Sequence, residues 1–299
     1  MRVLRGKLPA RIGLEEDLLV HADSADVLGR LPAGAFDLVY VDPPFNTGRR
    51  QERRTLATVR DPAGDRTGFG GRRYRSAQLG ALHYEDRHED YLGFLVPRLA
   101  RARELLADHG TLYVHLDPRE SHYCKVALDG LFGRECFLNE IVWAYDYGGR
   151  SRRRWPAKHD TILVYVKDRD RYHFDSEAVD REPYMAPGLV SAEKAARGKL
   201  PTDTWWHTIV PTNGAEKTGY PTQKPEGVLR RIVTASSRPG GWCLDFCAGS
   251  GTLGAVCAQA GRRFVLVDSS AEAVEVAAQR LGGVRGRREA AAAPPWRAA

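Results

Sequence analysis

The chain has 299 residues, of which 42% are hydrophobic and 28% are charged, a composition typical of a globular protein with a sizeable core. This composition excludes a disordered or fibrous chain. Lysine and arginine number 45 against 38 acidic residues, and the net charge of +7 favours a polyanionic partner, with nucleic acid the first to test.

The sequence contains no run of the roughly 20 apolar residues that a membrane-spanning helix needs. Its basic N-terminus lacks the apolar segment and cleavage site of a signal peptide, so we expect a cytoplasmic protein. Five scattered cysteines favour reduced thiols over disulfides. Cys243 and Cys247 lack a second cysteine or histidine pair, and we therefore expect no metal site.

Short β-branched runs alternate with helical patterns, which predicts βαβ units and an α/β fold. No helical pattern separates the runs at 139–145 and 161–166, so these two are predicted to form an antiparallel hairpin. The result is a doubly wound, seven-stranded mixed sheet. Its predicted strands are 18–22, 36–41, 111–116, 139–145, 161–166, 242–245 and 264–267.

Three segments do not fit this core. Residues 48–75 contain nine arginines against three acidic residues, which indicates a mobile basic loop inside an insertion at 48–88. Residues 167–219 are polar and carry Trp205 and Trp206, whose indoles we expect to anchor a small insertion, with stacking on bases as the alternative. The tail is low in complexity and is expected to be disordered. The predicted divisions are 1–166, 167–219, 220–282 and 283–299.

The sharpest motif, Asp42, Pro43, Pro44 and Phe45, directly follows the strand FDLVYV. Two prolines remove two N–H donors and leave carbonyl acceptors beside a carboxylate and an aromatic ring. Such a turn suits an amine: Asp42 and the Pro43 carbonyl could each accept one hydrogen and turn the nitrogen lone pair toward an electrophile. A nucleobase flipped out of a duplex could stack on Phe45. The alternative is a structural turn with a packed phenylalanine.

A second motif runs from a strand through a glycine turn into a helix, and comprises Phe246, Cys247, Ala248, Gly249, Ser250, Gly251 and Thr252. Its spacing matches neither the dinucleotide fingerprint nor a phosphate loop. Asp268 ends the next strand, where a carboxylate can accept hydrogen bonds from ribose hydroxyls. An adenosine cofactor without a phosphate chain fits this pattern, and tight strand-to-helix packing is the alternative.

A third motif, YPTQKP, places Lys224 just before a helix whose first position suits Pro225. A cation is unfavourable at the positive end of a helix dipole, so an anion such as a cofactor carboxylate is expected beside Lys224. A solvated surface lysine is the alternative.

Together these motifs resemble the β-group amino-methyltransferases of DNA, in which a DPPF/Y-type tetrapeptide precedes an FxGxG-type cofactor turn. The likeness extends through VYVDPPFNTG, GTLYVHLD, LFGRECFLNEIVW, HDTILVYVK, YPTQKP, DFCAGSGT and FVLVD, and covers most of residues 18–281. It implies a Rossmann-like, circularly permuted fold that uses S-adenosyl-L-methionine, with a small target-recognition insertion at 167–219.

Carried over residue by residue, the resemblance assigns the target base to the segment from Asp42 to Phe45. It assigns the cofactor to the turn from Phe246 to Thr252, with Asp268 at the ribose. Asp23 matches an acidic position facing the cofactor adenine, and Lys224, with Thr222 beside it, matches a position near the methionine carboxylate. Cys247 departs from the pattern, since relatives more often have another small or an aromatic residue there.

The expected reaction is methylation of an exocyclic amine in double-stranded DNA. Adenine N6 is favoured over cytosine N4 because the motif begins with an acid, where many cytosine-N4 relatives have serine. Methylation at cytosine C5 requires a cysteine nucleophile, which usually follows a proline. It is excluded because none of the five cysteines follows a proline. RNA or protein methylation, or DNA binding without catalysis, remain alternatives. A nucleoid-associated location, a homodimer and a cognate restriction endonuclease are compatible with the resemblance.

Two arginine clusters could contact DNA phosphates. Solvated surface charge is the alternative. The candidate residues are Arg49, Arg50, Arg72, Arg73, Arg150, Arg152, Arg153 and Arg154.

Overall fold

The strand FDLVYV at Phe36–Val41 is buried along its whole length, because its side chains alternate between two hydrophobic cores. Val39 and Val41 belong to the first core, and Leu38 and Tyr40 belong to the second. Burial on both faces is what a sheet covered by helices on both sides requires. The computed structural model therefore has the predicted α/β architecture.

The structure describes residues 1–45, 49–61, 63, 66–67, 73–86, 90–148, 151–211 and 213–292. The chain forms two units, one comprising Met1–Pro43 and Asp90–Ala299 and the other Pro44–Glu89. The described strands are β1 (Arg2–Arg5), β2 (Leu18–His21), β3 (Phe36–Val41), β4 (Arg49–Arg60), β5 (Arg66–Thr67), β6 (Arg73–Asp86), β7 (Leu106–Leu116), β8 (Phe137–Ala144), β9 (His159–Val166), β10 (Thr204–Trp206), β11 (Trp242–Asp245) and β12 (Arg263–Asp268). The described α-helices are α1 (Ser24–Leu28), α2 (Tyr91–Leu105), α3 (Ser121–Phe132), α4 (Ala192–Arg197), α5 (Glu226–Ser236), α6 (Thr252–Ala260) and α7 (Ala271–Ala292).

The larger unit is built on a nine-stranded sheet in the order β1-β2-β12-β11-β3-β7-β9-β8-β10. Among the described strands of this sheet, β9 alone is antiparallel to its neighbours, since it pairs antiparallel with both β7 and β8. The predicted hairpin of β8 and β9 is therefore confirmed. Strands β11 and β12, late in the chain, lie between β2 and β3, in agreement with the predicted circular permutation.

All seven predicted strands are present, but the predicted strand number is wrong because the sheet has nine. The two additional strands, β1 and β10, have four and three residues. Both lie at the edges of the sheet, where one side of a strand lacks a partner. Such short segments carry too little alternation of polar and apolar residues to be recognised from the sequence.

Helices cover the sheet on both faces. Helices α2 and α3 supply Leu95, Leu99 and Leu128 to the first core. Helices α5 and α6 supply Ile232 and Val256, among other residues, to the second core. Within the described residues, no helix is both long enough and apolar enough to cross a membrane.

The basic segment 48–75 was predicted to be a loop, and that prediction is wrong. Strand β4 pairs antiparallel with β6 along its full length, and β5 pairs with β6 to complete a three-stranded sheet in the smaller unit. Backbone hydrogen bonds between strands do not require apolar side chains. Strand β4 therefore forms although its arginine-rich sequence lacks the apolar pattern that predicts a strand.

The predicted disordered tail 283–299 is also partly wrong, since α7 continues through Ala292. Alanine, glutamate and arginine have high helix propensities, which explains this extension. Residues 293–299 lie outside the described residues.

The segment 167–219 lies within the larger unit and adds β10 to its sheet through pairing with β8. Trp205 is only 7% exposed, and its indole N–H donates to the Thr202 carbonyl at 2.7 Å. The Arg231 guanidinium lies over the same ring, 5.3 Å from its centre. The adjacent Trp206 is 75% exposed, so only one of the two indoles anchors the segment.

We predict that Trp205→Ala lowers the free energy of unfolding by about 3–5 kcal/mol, because it leaves a cavity under the segment. The matched control Trp206→Ala removes an exposed indole and should change stability by no more than about 0.5 kcal/mol. Urea unfolding followed by circular dichroism measures both. Equal losses in the two variants would contradict the anchor.

Candidate active site

Most of the residues singled out in the sequence meet at one edge of the large sheet, where its parallel strands end. Asp23 follows β2, Asp42 follows β3, and Asp245 and Asp268 are the last residues of β11 and β12. Because β9 runs in the opposite direction, its second residue, Asp160, lies at the same edge. We call this side of the sheet the carboxyl edge.

Asp42 forms an ion pair that the sequence did not predict. The Lys224 ammonium donates to Oδ2 of Asp42 at 2.5 Å, and both side chains are largely buried. The other carboxylate oxygen, Oδ1, is buried and has no hydrogen-bond partner among the described residues. One oxygen is therefore fixed by Lys224, while the other can accept a hydrogen bond from a substrate.

The rest of the first motif extends over both units. Pro43 is buried and ends the first segment of the larger unit, directly beside Asp42 in the chain. Pro44 and Phe45 are partly buried and begin the smaller unit. The structure thus places Asp42 and Pro43 at the carboxyl edge.

The turn from Phe246 to Thr252 connects β11 to α6 with the predicted glycine geometry. Gly249 and Gly251 have φ values of +49° and +71°, a region that L side chains rarely adopt. A Cβ on Gly251 would lie 2.9 Å from the Cβ of Ala277, too close for an ordinary contact. A Cβ on Gly249 would lie 3.2 Å from the Tyr220 ring, so this glycine lets the ring approach the turn.

Backbone hydrogen bonds fix the conformation of this turn. The N–H of Ala248 donates to the Val267 carbonyl at 3.0 Å, and the N–H of Gly251 donates to the Ala248 carbonyl at 2.8 Å. Phe246 and Ser250 are buried, and Cys247 is partly exposed. The Thr252 hydroxyl donates to the Lys224 carbonyl at 3.3 Å and so connects the turn to the third motif.

Asp268 binds the same turn through both of its oxygens. Oδ2 accepts from the Gly249 N–H and Oδ1 accepts from the Ser270 N–H, each at 2.8 Å. Burial raises the pKa of Asp268 above its ordinary value, although the two N–H groups act in the opposite direction. In this structure Asp268 therefore orders the glycine turn.

Asp245 is a site residue that the sequence reasoning missed. It is buried, and its Oδ1 accepts from the Cys247 N–H at 3.0 Å. Burial, followed by the nearby carboxylates of Asp42 and Asp268, raises its pKa well above the ordinary value. Its position at the end of a predicted strand was the available signal, but its interaction with Asp42 depends on the sheet order.

Asp23 serves as the N-cap of α1. Its Oδ1 accepts from the Ala25 N–H and from the Arg98 guanidinium, both at 2.7 Å. Burial raises the pKa of Asp23, but these two donors outweigh it and leave the pKa below its ordinary value. Asp23 is exposed, so its carboxylate remains accessible at the carboxyl edge.

The loop before α5 is held by a side chain that the sequence did not single out. Gln223 is buried, accepts from the Thr218 N–H at 2.8 Å, and donates to the Glu216 carbonyl at 2.6 Å. These bonds fix the residue next to Lys224. Thr222 is exposed on the other side of Gln223.

A buried polar network underlies the carboxyl edge. His115 is fully buried, with Nδ1 2.8 Å from the Tyr40 hydroxyl and Nε2 3.1 Å from Oδ2 of Asp160. The Tyr145 hydroxyl donates to the other Asp160 oxygen at 2.8 Å. Burial raises the pKa of Tyr40 well above its ordinary value, so its hydroxyl stays protonated beside His115.

The candidate DNA-binding arginines occupy two places. Arg152, Arg153 and Arg154 are exposed in the loop between β8 and β9. Arg73 is exposed at the start of β6 in the smaller unit, where Arg49 and Arg50 begin β4. Arg72 and Arg150 lie outside the described residues.

Comparisons with known proteins identify the family of this chain. A family model for the N6- and N4-type enzymes, described as DNA methylase, matches residues 36–279. The DNA adenine methyltransferase YhdJ of Escherichia coli strain K12 is 27% identical over 281 residues, which cover 91% of this chain and 85% of that protein.

Two solved structures share the fold. The cytosine-N4-specific PvuII DNA methyltransferase aligns with a TM-score of 0.60 at 15% identity, covering 90% of this chain and 91% of that one. The M1.HpyAVI–SAM complex aligns with a TM-score of 0.56 at 20% identity, covering 88% of this chain and 98% of that one. The matched region includes all three motifs and most of the chain, which therefore belongs to the N6/N4 DNA methylase family.

Proposed function

We propose that this protein transfers a methyl group from S-adenosyl-L-methionine to the exocyclic amine of a flipped DNA base, adenine N6 in preference to cytosine N4. The observation that carries the proposal is the buried Oδ1 of Asp42, which has no hydrogen-bond partner among the described residues. A buried carboxylate oxygen is costly unless it accepts a hydrogen bond. An amine hydrogen of the target base would satisfy it.

The carboxyl edge suits a cationic cofactor. Asp42, Asp160, Asp245 and Asp268 lie there, and Lys224 acts electrostatically on three of them. S-adenosyl-L-methionine supplies a methyl group on a positively charged sulfur, and this charge is favoured near carboxylates. The glycine turn from Phe246 to Thr252 would hold the cofactor.

Four further residues complete the proposed cofactor site. Asp268 would accept hydrogen bonds from the ribose hydroxyls, and Asp23 would face the adenine. Lys224 would lie near the methionine carboxylate, whose negative charge complements that of its ammonium group. Thr222, which is exposed two residues before Lys224, is proposed to contact the cofactor as well.

The chemistry requires an amine whose lone pair is no longer conjugated with its ring. Oδ1 of Asp42 and the Pro43 carbonyl would each accept one amine hydrogen, which directs the lone pair toward the methyl group. Lys224 fixes Asp42 through Oδ2 and so orients Oδ1. Phe45 would stack on the base. After transfer, the nitrogen loses a proton toward Asp42.

Adenine is preferred because the motif begins with an acid and because the Escherichia coli relative is named an adenine methyltransferase. Segment 167–219 is proposed to read the target sequence, and double-stranded DNA is the proposed substrate. A homodimer and a cognate restriction endonuclease are compatible additions to this proposal.

We predict that Asp42→Ala lowers kcat by about 10²-fold or more, since it removes the acceptor that orients the amine. The assay incubates protein, isotopically labelled S-adenosyl-L-methionine and unmethylated genomic DNA, and identifies methylated nucleosides by mass spectrometry. Wild-type protein should yield N6-methyladenine. The control Glu104→Ala removes an exposed carboxylate at the end of α2 and should retain activity.

The assay separates the alternatives. Production of N4-methylcytosine would keep the reaction and overturn the base assignment. Full activity of Asp42→Ala would contradict the proposed mechanism. Methylation of RNA or protein, with no methylation of DNA, would contradict the proposal that DNA is the substrate.

Lys224→Met should lower kcat and cofactor affinity by about tenfold each. The lower kcat would follow from loss of the hydrogen bond to Asp42, and the lower affinity from loss of the interaction with the cofactor carboxylate. Steady-state kinetics measures kcat, and calorimetry measures the cofactor Kd. The matched control is Lys125→Met, which breaks a 2.8 Å ion pair with Asp129 within α3. Unchanged kcat would exclude the role at Asp42, and unchanged Kd would exclude the interaction with the cofactor.

Replacing Arg152, Arg153 and Arg154 with alanine should weaken DNA binding and reduce the salt dependence of log K by about one unit for each phosphate that the protein no longer binds. Fluorescence anisotropy with a labelled duplex over a series of salt concentrations measures the slope. Arg134→Ala is the single-charge control, because Arg134 is exposed just before β8 begins, at the opposite edge of the sheet. An unchanged slope in the triple variant would contradict phosphate binding by this loop.

A further inference from the structure

Trp155 is the most exposed tryptophan among the described residues, with 95% of its surface accessible. It lies in the loop that joins β8 to β9. The residues at the ends of this loop, Ala144 and His159, pair with each other, and Thr161 of β9 pairs with Leu116 at the end of β7. Strand β7 in turn pairs with β3, so the loop leaves the sheet at the carboxyl edge.

The base of this loop is fixed in place. The N–H of Tyr145 donates to the Lys158 carbonyl at 2.9 Å, and the Tyr145 hydroxyl donates to Asp160 at 2.8 Å. The Lys158 ammonium donates to the Gly148 carbonyl at 2.9 Å. Trp155 is therefore presented from a loop whose ends are anchored to the network beneath the carboxyl edge.

A single exposed apolar residue is common on protein surfaces, so exposure by itself indicates nothing. The surroundings of Trp155 are what matter. Arg152, Arg153 and Arg154 are also exposed and immediately precede it in the chain. An aromatic ring beside several cations is the combination that proteins use to contact bases and phosphates together.

We infer that Trp155 enters the duplex and fills the gap left by the flipped base, a positioning role that rests on the proposed function. Extruding a base breaks its pairing and its stacking on both neighbours. A flat apolar ring inserted at that step restores part of the stacking, and the adjacent arginines can hold the flanking phosphates. Trp155 thus lowers the free energy of the flipped state without touching the reacting amine.

The other strongly exposed tryptophan is less suited to this role. Trp206 is on β10, the last strand of the sheet, and β7, β9 and β8 separate it from β3. The loop with Trp155 joins two of these intervening strands, and so lies closer to Asp42 in the sheet order.

The test compares Trp155→Ala with wild-type protein on two duplexes. Both contain the target motif found by sequencing genomic DNA that the wild-type protein has methylated. In one duplex the target base is paired, and in the other it faces a non-complementary base, which lowers the free energy needed for flipping. Single-turnover methylation gives kcat/KM for each.

We expect Trp155→Ala to lower kcat/KM on the paired duplex by about tenfold, and the mispaired duplex to restore it to within about threefold of wild type. Trp155→Phe should retain most activity on both. The control Tyr123→Ala removes an exposed aromatic residue from α3, outside both the recognition segment and the loop with Trp155. It should match wild type on both duplexes.

Equal losses on the paired and mispaired duplexes would overturn the inference, because phosphate binding or a folding defect does not depend on base pairing. No loss on the paired duplex would overturn it as well. In both cases wild-type methylation leaves the proposed function intact. A wild-type protein that does not methylate genomic DNA would overturn the proposed function, and the role of Trp155 with it.

Discussion

The ion pair between Lys224 and Asp42 joins two segments 182 positions apart, and the arrangement of the site depends on it. Asp42 follows β3 in the first part of the chain, whereas Lys224 precedes α5 in the second. Burying an ion pair is costly, and removing one partner leaves the other charge uncompensated. The pair therefore couples the proposed base-binding segment to the proposed cofactor turn: Thr252, the first residue of α6, donates to the carbonyl of the same Lys224. A permuted chain needs such a connection, because its two functional segments are distant in sequence.

The same edge concentrates more negative charge than one lysine balances. The pKa values of Asp245 and Asp268 are raised, chiefly by burial, which marks carboxylates held under unfavourable conditions. Backbone N–H groups of the glycine turn offset part of this cost by donating to both side chains. A cationic ligand would offset more of it. A bound cation would also lower the pKa of both carboxylates toward the ordinary value.

The sequence predicts the centre of this molecule better than its periphery. Strands β3 and β11 were predicted with their observed bounds, because continuous apolar runs mark strands buried on both faces. The edge strands β1 and β10 are too short for any pattern, and β4 was hidden by its arginines. At the site, strand ends located Asp42 and Asp268. The pairing of Asp42 with Lys224, and that of His115 with Asp160, could not be predicted from the sequence. Such pairs depend on strand order and on side-chain packing across the fold.

The direction of a single strand decides where the basic loop lies. In a purely parallel sheet, the connection from β8 would have to return along the sheet before the next strand could begin. Strand β9 instead turns back directly. The loop with Arg152, Arg153, Arg154 and Trp155 therefore lies at the carboxyl edge, where β3 ends and Asp42 follows it. The same reversal brings Asp160 to that edge, where it accepts from His115 and Tyr145. The antiparallel hairpin therefore provides both the exposed basic surface of the loop and the buried network beneath it.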